Sequence, residues 1–572
     1  MNASRAKAIA LHPLLWAAVG GLCLTLSFPK FNVAGLAWIA PALILLAAQR
    51  EPRHAFRTGY VAGLVFHLTA LCWLLNIPVT GAPILGWFAL GAYAALFTGA
   101  WAWVCCQLRP NCEELISGSS QAEKRLNDIR AHRPTLASLG GVGGGFFRGA
   151  SAGHGRMHRT LWALQCAAIW VALEMIQARL FTGFPWNQLG TSQWRQIPLI
   201  QLASVTGVYG VSFLIVWCSV AFLGAAMVFR RDPSSRAWRI DLLAPVIAVV
   251  LVVTFGLAKI FHAERSERFL KVALVQPSIP QTLIWNPAES TNRFQKILRL
   301  SELALASKPD VLIWPEAAVP NLLRYDKETF DAVTGLAKKH GVWMIVGADD
   351  AEPRRGDPSG KDADYFNSAF LISPAGELAA KYDKQRLVIF GEYIPLVRWL
   401  PFLKWFTPIT SGFAQGRGPV PFAAPGPRFK TSVMICFEDM FAALARTYAE
   451  PDTDFLLNLT NDGWFGEGAE QWQHAAAAVF RAVENGLPVV RCTNNGLTCW
   501  IDRFGVLHDA GVGDGDIYGE GFRTMKIPLL PEGAPRAPTF YNQRGDWFGW
   551  VCVAFGMLLP TRVWLERKSA RE

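Results

Sequence analysis

Thr431-Ser432-Val433-Met434-Ile435-Cys436-Phe437-Glu438-Asp439-Met440 begins as a buried strand and ends in reactive side chains. An apolar, partly β-branched run delivers a cysteine, and two carboxylates follow almost at once. A thiol in that position is either core packing or a nucleophile held at a strand end.

Similar runs recur on both sides. They are Lys271–Gln276, Asp310–Trp314, Val342–Gly347, Asp454–Leu459 and Pro488–Cys492. Helical patterns over 290–307, 327–340 and 469–486 separate them. Continuous apolar strands alternating with helices predict a sheet covered by helices. Residues 267–540 therefore read as one soluble α/β domain. In such layered domains the chemistry collects just past strand ends. Three positions fit that rule: Glu316 after Trp314-Pro315, Lys384 after Lys381-Tyr382-Asp383, and Cys436. Taken singly, each also suits a structural role: a turn carboxylate, a solvated lysine, a packed thiol. Together they form a workable set. A carboxylate can take a thiol proton, and an ammonium can hold a tetrahedral oxyanion.

The rest of the chain is membrane-like. Of 572 residues, 52% are hydrophobic and only 17% charged, with 23 tryptophans. A bilayer span needs roughly 20 apolar residues. Residues 8–29, 31–49 and the whole of 58–108 carry no Asp, Glu, Lys or Arg. Further spans fall near 160–178, within 196–229, at 242–257 and near 546–564. The total is about 8 transmembrane helices. Seven belong to a membrane domain over 1–262 and the last to 541–566. The first segment also fits a cleaved signal peptide, but it lacks a clear small-x-small site, which favours an anchor.

Arginines and lysines concentrate at the N-terminus, at 50–57, at 109–159, at 230–239 and at 567–571. By the positive-inside rule both termini are cytoplasmic and the 267–540 block is exported. The net charge of +11 lies mostly in those loops, so anionic lipid headgroups, not nucleic acid, are the expected partner. Residues 110–158, rich in Gly, Ser and Arg, read as a flexible cytoplasmic insertion; Gly140–Gly145 lacks the Lys-Ser/Thr ending of a phosphate loop. Cys492 and Cys499 are either core thiols or a disulfide, and no Cys/His spacing suggests zinc. Glu174, near the end of its span, is either functional or a structural hydrogen-bonding group.

The three strand-end contexts resemble the nitrilase superfamily, whose members carry a Glu-Lys-Cys triad on an αββα sandwich. Combined with the membrane segments, the chain resembles the apolipoprotein N-acyltransferase family. The motifs are Phe181-Thr182-Gly183-Phe184-Pro185-Trp186, Val275–Gln281, Trp314-Pro315-Glu316, Phe390–Pro395, Ile435–Glu438, Asn458–Phe465 and Thr493-Asn494-Asn495-Gly496. The resemblance implies Glu316 as general base, Lys384 as oxyanion cation and Cys436 as nucleophile, with Glu392 and Glu438 supporting them. Trp285 resembles a family tryptophan tied to lipid handling. Phe437 stands where the family often has tyrosine, so no polar role is expected there.

The implied reaction transfers an sn-1 acyl chain from a phospholipid, phosphatidylethanolamine in this reading, through a cysteine thioester. The acceptor is the α-amine of a diacylglyceryl-modified apolipoprotein. No cofactor or metal is implied. The implied location is a bacterial inner membrane, with the catalytic domain on its periplasmic face. Lipid-facing loops are expected at Leu396–Phe406 and Gly463–Gly466, including Trp464 and Phe465; a core helix is the other reading of the first. A membrane-tethered amidase would share the triad but need a closed polar pocket. A lipoprotein-binding transporter or scaffold would leave the triad unexplained.

Overall fold

A computed structural model describes residues 12–79, 82–109, 143–234, 236–264, 266–284, 286–354, 362–395, 397, 399–402, 412–425, 429–512, 516–533 and 535–556. Trp285, residues 110–142 of the insertion and the tail beyond 556 lie outside that set, as do Leu396, Arg398 and 403–406 of the expected lipid-facing loop. From Gly143 the chain is helical as far as Gln177.

The half from Phe269 to Pro528 is a two-sheet sandwich. One sheet has the order β12-β1-β2-β3-β4-β5, built from Phe269–Gln276 (β1), Val311–Ile313 (β2), Trp343–Pro353 (β3), Ala363–Ile372 (β4), Leu378–Asp383 (β5) and Gly521–Pro528 (β12). The other has the order β11-β10-β9-β8-β7-β6, from Pro421–Ala424 (β6), Phe429–Ile435 (β7), Phe455–Thr460 (β8), Val489–Thr493 (β9), Cys499–Ile501 (β10) and Leu507–His508 (β11). Strands β1, β2 and β3 are mutually parallel, as are β7, β8 and β9. The six strands expected from the sequence are all present, as are helices Ser290–Leu305, Lys327–His340 and Glu470–Asn485.

Alternation explains why the strands are apolar throughout. Along β1, Val272 and Leu274 enter the core between the sheets, while Ala273 and Val275 pack under the outer helices with Ile297, Leu300 and Val333. Both strand faces are buried, so neither face is polar. The antiparallel strands β4 and β5 join through a turn at Ser373–Gly376, where Gly376 has φ 73°. Glycine suits that left-handed position.

Among the described residues, four helices are long and apolar enough to cross a bilayer: Pro83–Gln107, Met157–Gln177, Val208–Arg231 and Ala237–Phe261. Shorter apolar helices occupy Pro13–Ser27, Ala34–Ala48, Ile197–Thr206 and Trp547–Gly556. The fourth long helix is only 17% buried over its apolar window, which leaves its hydrophobic surface for lipid.

The two halves meet on helix Glu470–Asn485. An ordinary surface helix keeps a polar outer face. Here nearly every side chain is buried, because the membrane half covers the face turned away from the sheet. Gln473 is the centre of the contact. Its Oε1 accepts from Trp73 Nε1 (3.1 Å), Trp186 Nε1 (2.7 Å) and Asn187 Nδ2 (3.2 Å), and its Nε2 donates to the carbonyls of Pro29 (3.0 Å) and Ala70 (3.1 Å). One amide thus holds three separate membrane-domain loops.

Gln473→Leu strands five buried groups, each costing about 1–3 kcal/mol when unpaired. The expected outcome is a clear fall in Tm of the detergent-solubilised protein. An unchanged Tm would contradict the assigned role of this junction.

Candidate active site

Glu316, Lys384 and Cys436 each follow a strand that ends at the same edge of the sandwich. Lys384 follows β5, and its backbone N–H still donates to Asn367 O at 2.9 Å. Its side chain enters the space between the sheets and is 1% exposed. There Nζ donates to Glu316 Oε1 at 3.1 Å and to Glu392 Oε1 at 2.8 Å. Asn367 Nδ2, on β4, reaches the same two oxygens at 2.8 and 3.0 Å. Two carboxylates are therefore bridged by one ammonium and one amide. Burial opposes the ammonium, but the two glutamates outweigh it and hold the Lys384 pKa well above its ordinary value. The lysine stays charged.

Glu316 sits on a turn that needs a close backbone approach. A Cβ on Gly347 would meet Pro315 O at 2.1 Å, so only glycine lets β3 pass there. Glu316 Oε1 takes both hydrogen bonds, while Oε2 is buried with no partner among the described residues. That oxygen is free to accept a proton. Glu392 has no such freedom, because Val388 N donates to its Oε2 at 2.9 Å.

Cys436 follows β7 with φ 53°, a left-handed conformation that costs a non-glycine residue of order 1–3 kcal/mol. Its carbonyl accepts from Asn458 Nδ2 at 2.9 Å. Burial, and next the Glu316 carboxylate, push the thiol well up, while the Lys384 ammonium opposes them. The resting group is a thiol, so it needs a base in order to attack.

Glu438 clamps this corner. It is fully buried and accepts from Ile435 N (2.7 Å), Gln385 N (2.7 Å), Arg386 N (3.0 Å) and the Tyr382 hydroxyl (2.8 Å). One carboxylate thereby joins the strand end that carries the thiol to the loop that carries the lysine.

Phe437 packs in an aromatic group with Phe441 (ring centroids 5.0 Å), Phe184 (6.2 Å) and Trp186 (6.3 Å). The last two belong to the membrane half, so its loop touches the residue next to the cysteine. Phe465 packs edge-on against Trp73 at 4.7 Å, in the junction between the halves, and Trp464 is half-buried beside it. Trp399 stands 82% exposed, with Leu400 and Phe402 also outward. Glu174 Oε1 accepts from Trp170 Nε1 (2.9 Å) and Leu189 N (2.7 Å), which fixes the membrane loop. Cys492 and Cys499 are separate buried thiols.

Sequence reasoning missed a charged group close to Cys436. His474 bridges Asp439 (2.6 Å) and Asp462 (3.0 Å), and Arg491 Nη1 joins Asp439 at 2.5 Å. Thr460 donates to Asp462 at 2.9 Å, and both residues lie close enough to affect the Cys436 thiol. Burial opposes the imidazolium, but Asp439 and Asp462 hold the His474 pKa up at about 10. The available signal was Asp439 directly after Glu438, with a histidine and an arginine on otherwise apolar elements. Asn367 was missed too, although Asn-Ser inside the buried run Phe366–Ile372 marks a polar purpose.

Comparison with known proteins adds the family. Residues 271–517 match the carbon-nitrogen hydrolase model, and residues 20–118 and 134–221 match the apolipoprotein N-acyltransferase N-terminal domain. The chain is 33% identical to an apolipoprotein N-acyltransferase of Geobacter metallireducens, over 98% of this chain and 97% of that one. It is 29% identical to one from Vibrio cholerae, over 86% and 88%. Among solved structures, an amidase from Nesterenkonia sp. aligns at TM-score 0.33 and 18% identity, over 46% of this chain and 92% of that one.

The His474 charge sets a pH window. A folded pKa of about 10 against an ordinary value of 6.5 stabilises the fold fully below pH 6.5. That stabilisation is lost as pH rises through the folded value. The stability gap between wild type and His474→Gln should therefore be largest near pH 6 and shrink towards pH 10. A gap that grows with pH would contradict a protonated His474.

Proposed function

The chain belongs to the apolipoprotein N-acyltransferase family, and from that premise we propose that it moves a phospholipid acyl chain through Cys436 to a lipoprotein amine. In the first step Glu316 Oε2 takes the thiol proton and sulfur attacks the sn-1 ester carbonyl. Lys384 stabilises the oxyanion. The lysophospholipid leaves with the proton returned by Glu316. In the second step the α-amine of the diacylglyceryl-cysteine attacks the thioester, the amide forms and sulfur is released.

The observation that carries this reading is the shared ammonium. Lys384 lies within hydrogen-bond distance of both Glu316 and Glu392, beside a thiol whose ionisation Glu316 and Lys384 affect. Such a site can hold negative charge as it develops on a carbonyl oxygen. Glu392 and Glu438 act here as positioning groups.

The membrane half supplies the reason for a lipid substrate. Moving a buried CH₂ group into water costs about 0.8 kcal/mol, so drawing a whole acyl chain out of the bilayer would be prohibitive. In this proposal the catalytic domain rests on the periplasmic face of a bacterial inner membrane, with about 8 transmembrane helices and both termini cytoplasmic. Phosphatidylethanolamine is the proposed donor. Trp399, Leu400 and Phe402 form the lipid-facing lip, with Trp285 and Trp464 as further substrate-binding positions. Phe465 is better read as part of the junction, since it packs on Trp73.

Incubation of purified protein with radiolabelled phosphatidylethanolamine should label the wild-type chain through a hydroxylamine-sensitive bond. Cys436→Ala should remain folded and unlabelled, and Lys384→Ala should slow labelling by about 10²–10³. Label retained in Cys436→Ala, or normal labelling of Lys384→Ala, would overturn the assignments.

A further inference from the structure

The inference rests on the acyl-transfer reading above and concerns its second step. An α-amine has a pKa near 8, so the acceptor arrives at neutral pH mostly as an ammonium. Aminolysis of a thioester by an ammonium releases two protons from nitrogen. One leaves before attack, to free the lone pair; the other leaves the tetrahedral adduct. Only one is recovered by the departing sulfur. Glu316 can relay that one, but it must be ionised to do so. The other proton needs a second acceptor.

The described carboxylates around the site narrow the choice. Glu392 is 8% exposed and has both oxygens engaged, by Lys384 and Asn367 on one and Val388 N on the other. Glu438 is fully buried and saturated by backbone and tyrosine donors. Asp350, the next residue along β3, points to the opposite face, where Arg324 and Lys381 hold it.

Asp349 differs from all three, and from Asp439 and Asp462, which are fully buried and held by His474 and Arg491. It lies directly opposite Asn367 in the β3–β4 ladder, and residues directly opposite share a face. Asn367 is the residue that bridges Glu316 and Glu392, so Asp349 faces the same space. It is half-buried, hence more open than either glutamate. Among the described residues no group donates to its carboxylate. Its charged surroundings are Glu316, Glu392, Lys384 and Asp350.

We propose that Asp349 is the acceptor of the surplus ammonium proton. The step balances as follows. The Asp349 carboxylate takes one proton from R–NH₃⁺, giving R–NH₂. The nitrogen lone pair attacks the thioester carbonyl. Glu316 takes the second proton from the adduct, the C–S bond breaks, and Glu316 returns that proton to the Cys436 sulfur. Asp349 then releases its proton to water. Burial, Glu316 and Glu392 push this carboxyl up to about 7, with Lys384 opposing, which suits a group that must both take and release a proton near neutral pH.

The test separates the two half-reactions in Asp349→Asn. Acyl-enzyme is first formed from phosphatidylethanolamine, then chased at pH 7 either with a diacylglyceryl-cysteinyl peptide or with hydroxylamine, which is uncharged at that pH. The expected result is acyl-enzyme formation and hydroxylamine release within about twofold of wild type, with transfer to the peptide slowed at least tenfold. Asp349→Glu, which keeps the carboxyl, should recover most of the peptide rate. Equal slowing of acylation and both chases would mark a structural role and overturn the proposal. So would unchanged transfer to the peptide. If wild-type protein forms no acyl-enzyme at all, the acyltransferase reading itself fails, and that outcome is distinct from either.

Discussion

Lys384 cannot be buried alone. An unpaired ammonium taken out of water costs several kcal/mol even after relaxation. Its burial between the sheets is tolerable only because Glu316 and Glu392 both lie within 3.1 Å, and two carboxylates this close tolerate each other only because the lysine and Asn367 lie between them. Much of the local architecture serves that arrangement. Gly347 lets β3 pass under the Glu316 turn, Val388 N pins Glu392, and Glu438 ties the lysine loop to the cysteine strand. The outcome is a site with one carboxylate oxygen left unpaired beside a strained, protonated thiol.

The second constraint is placement. Phe437, next to Cys436, packs against Phe184 and Trp186 from the membrane half. The helix carrying His474 beneath the thiol also carries Gln473, which binds three membrane-domain loops. The seating of the two halves on each other and the shape of the candidate site therefore share one buried helix. A soluble relative would expose the outer face of that helix; here a second hydrophobic surface covers it.

The strands with parallel neighbours were legible in the sequence because burial on both faces writes a largely apolar run, as in Val311–Ile313 and Phe455–Leu457. Of the three candidate positions, Glu316 and Cys436 were legible because each follows such a run, whereas Lys384 follows the mixed strand β5 and stood out only in combination with the other two. The edge strands β5, β6, β11 and β12 were not, since half-exposed segments such as Leu378–Asp383 carry mixed residues, and the interior antiparallel strands β4 and β10 were not read either. The Asp439–His474–Arg491 group was hidden for another reason. Its members lie on separate elements, and only folding makes neighbours of residues 439 and 491. The membrane segments were visible as uncharged windows. Several, however, are helices too short to span alone, such as Ala34–Ala48, which packs largely inside the helical half.

In the proposed account the thiol is inert at rest and gains reactivity when a carbonyl oxygen arrives to draw on the lysine. The most direct test is a structure of the wild-type protein trapped after exposure to donor phospholipid. The account expects density continuous with the Cys436 sulfur, and a carbonyl oxygen within hydrogen-bond reach of Lys384 Nζ. An acyl group bound through sulfur whose oxygen points away from a lysine still closed between Glu316 and Glu392 would contradict it.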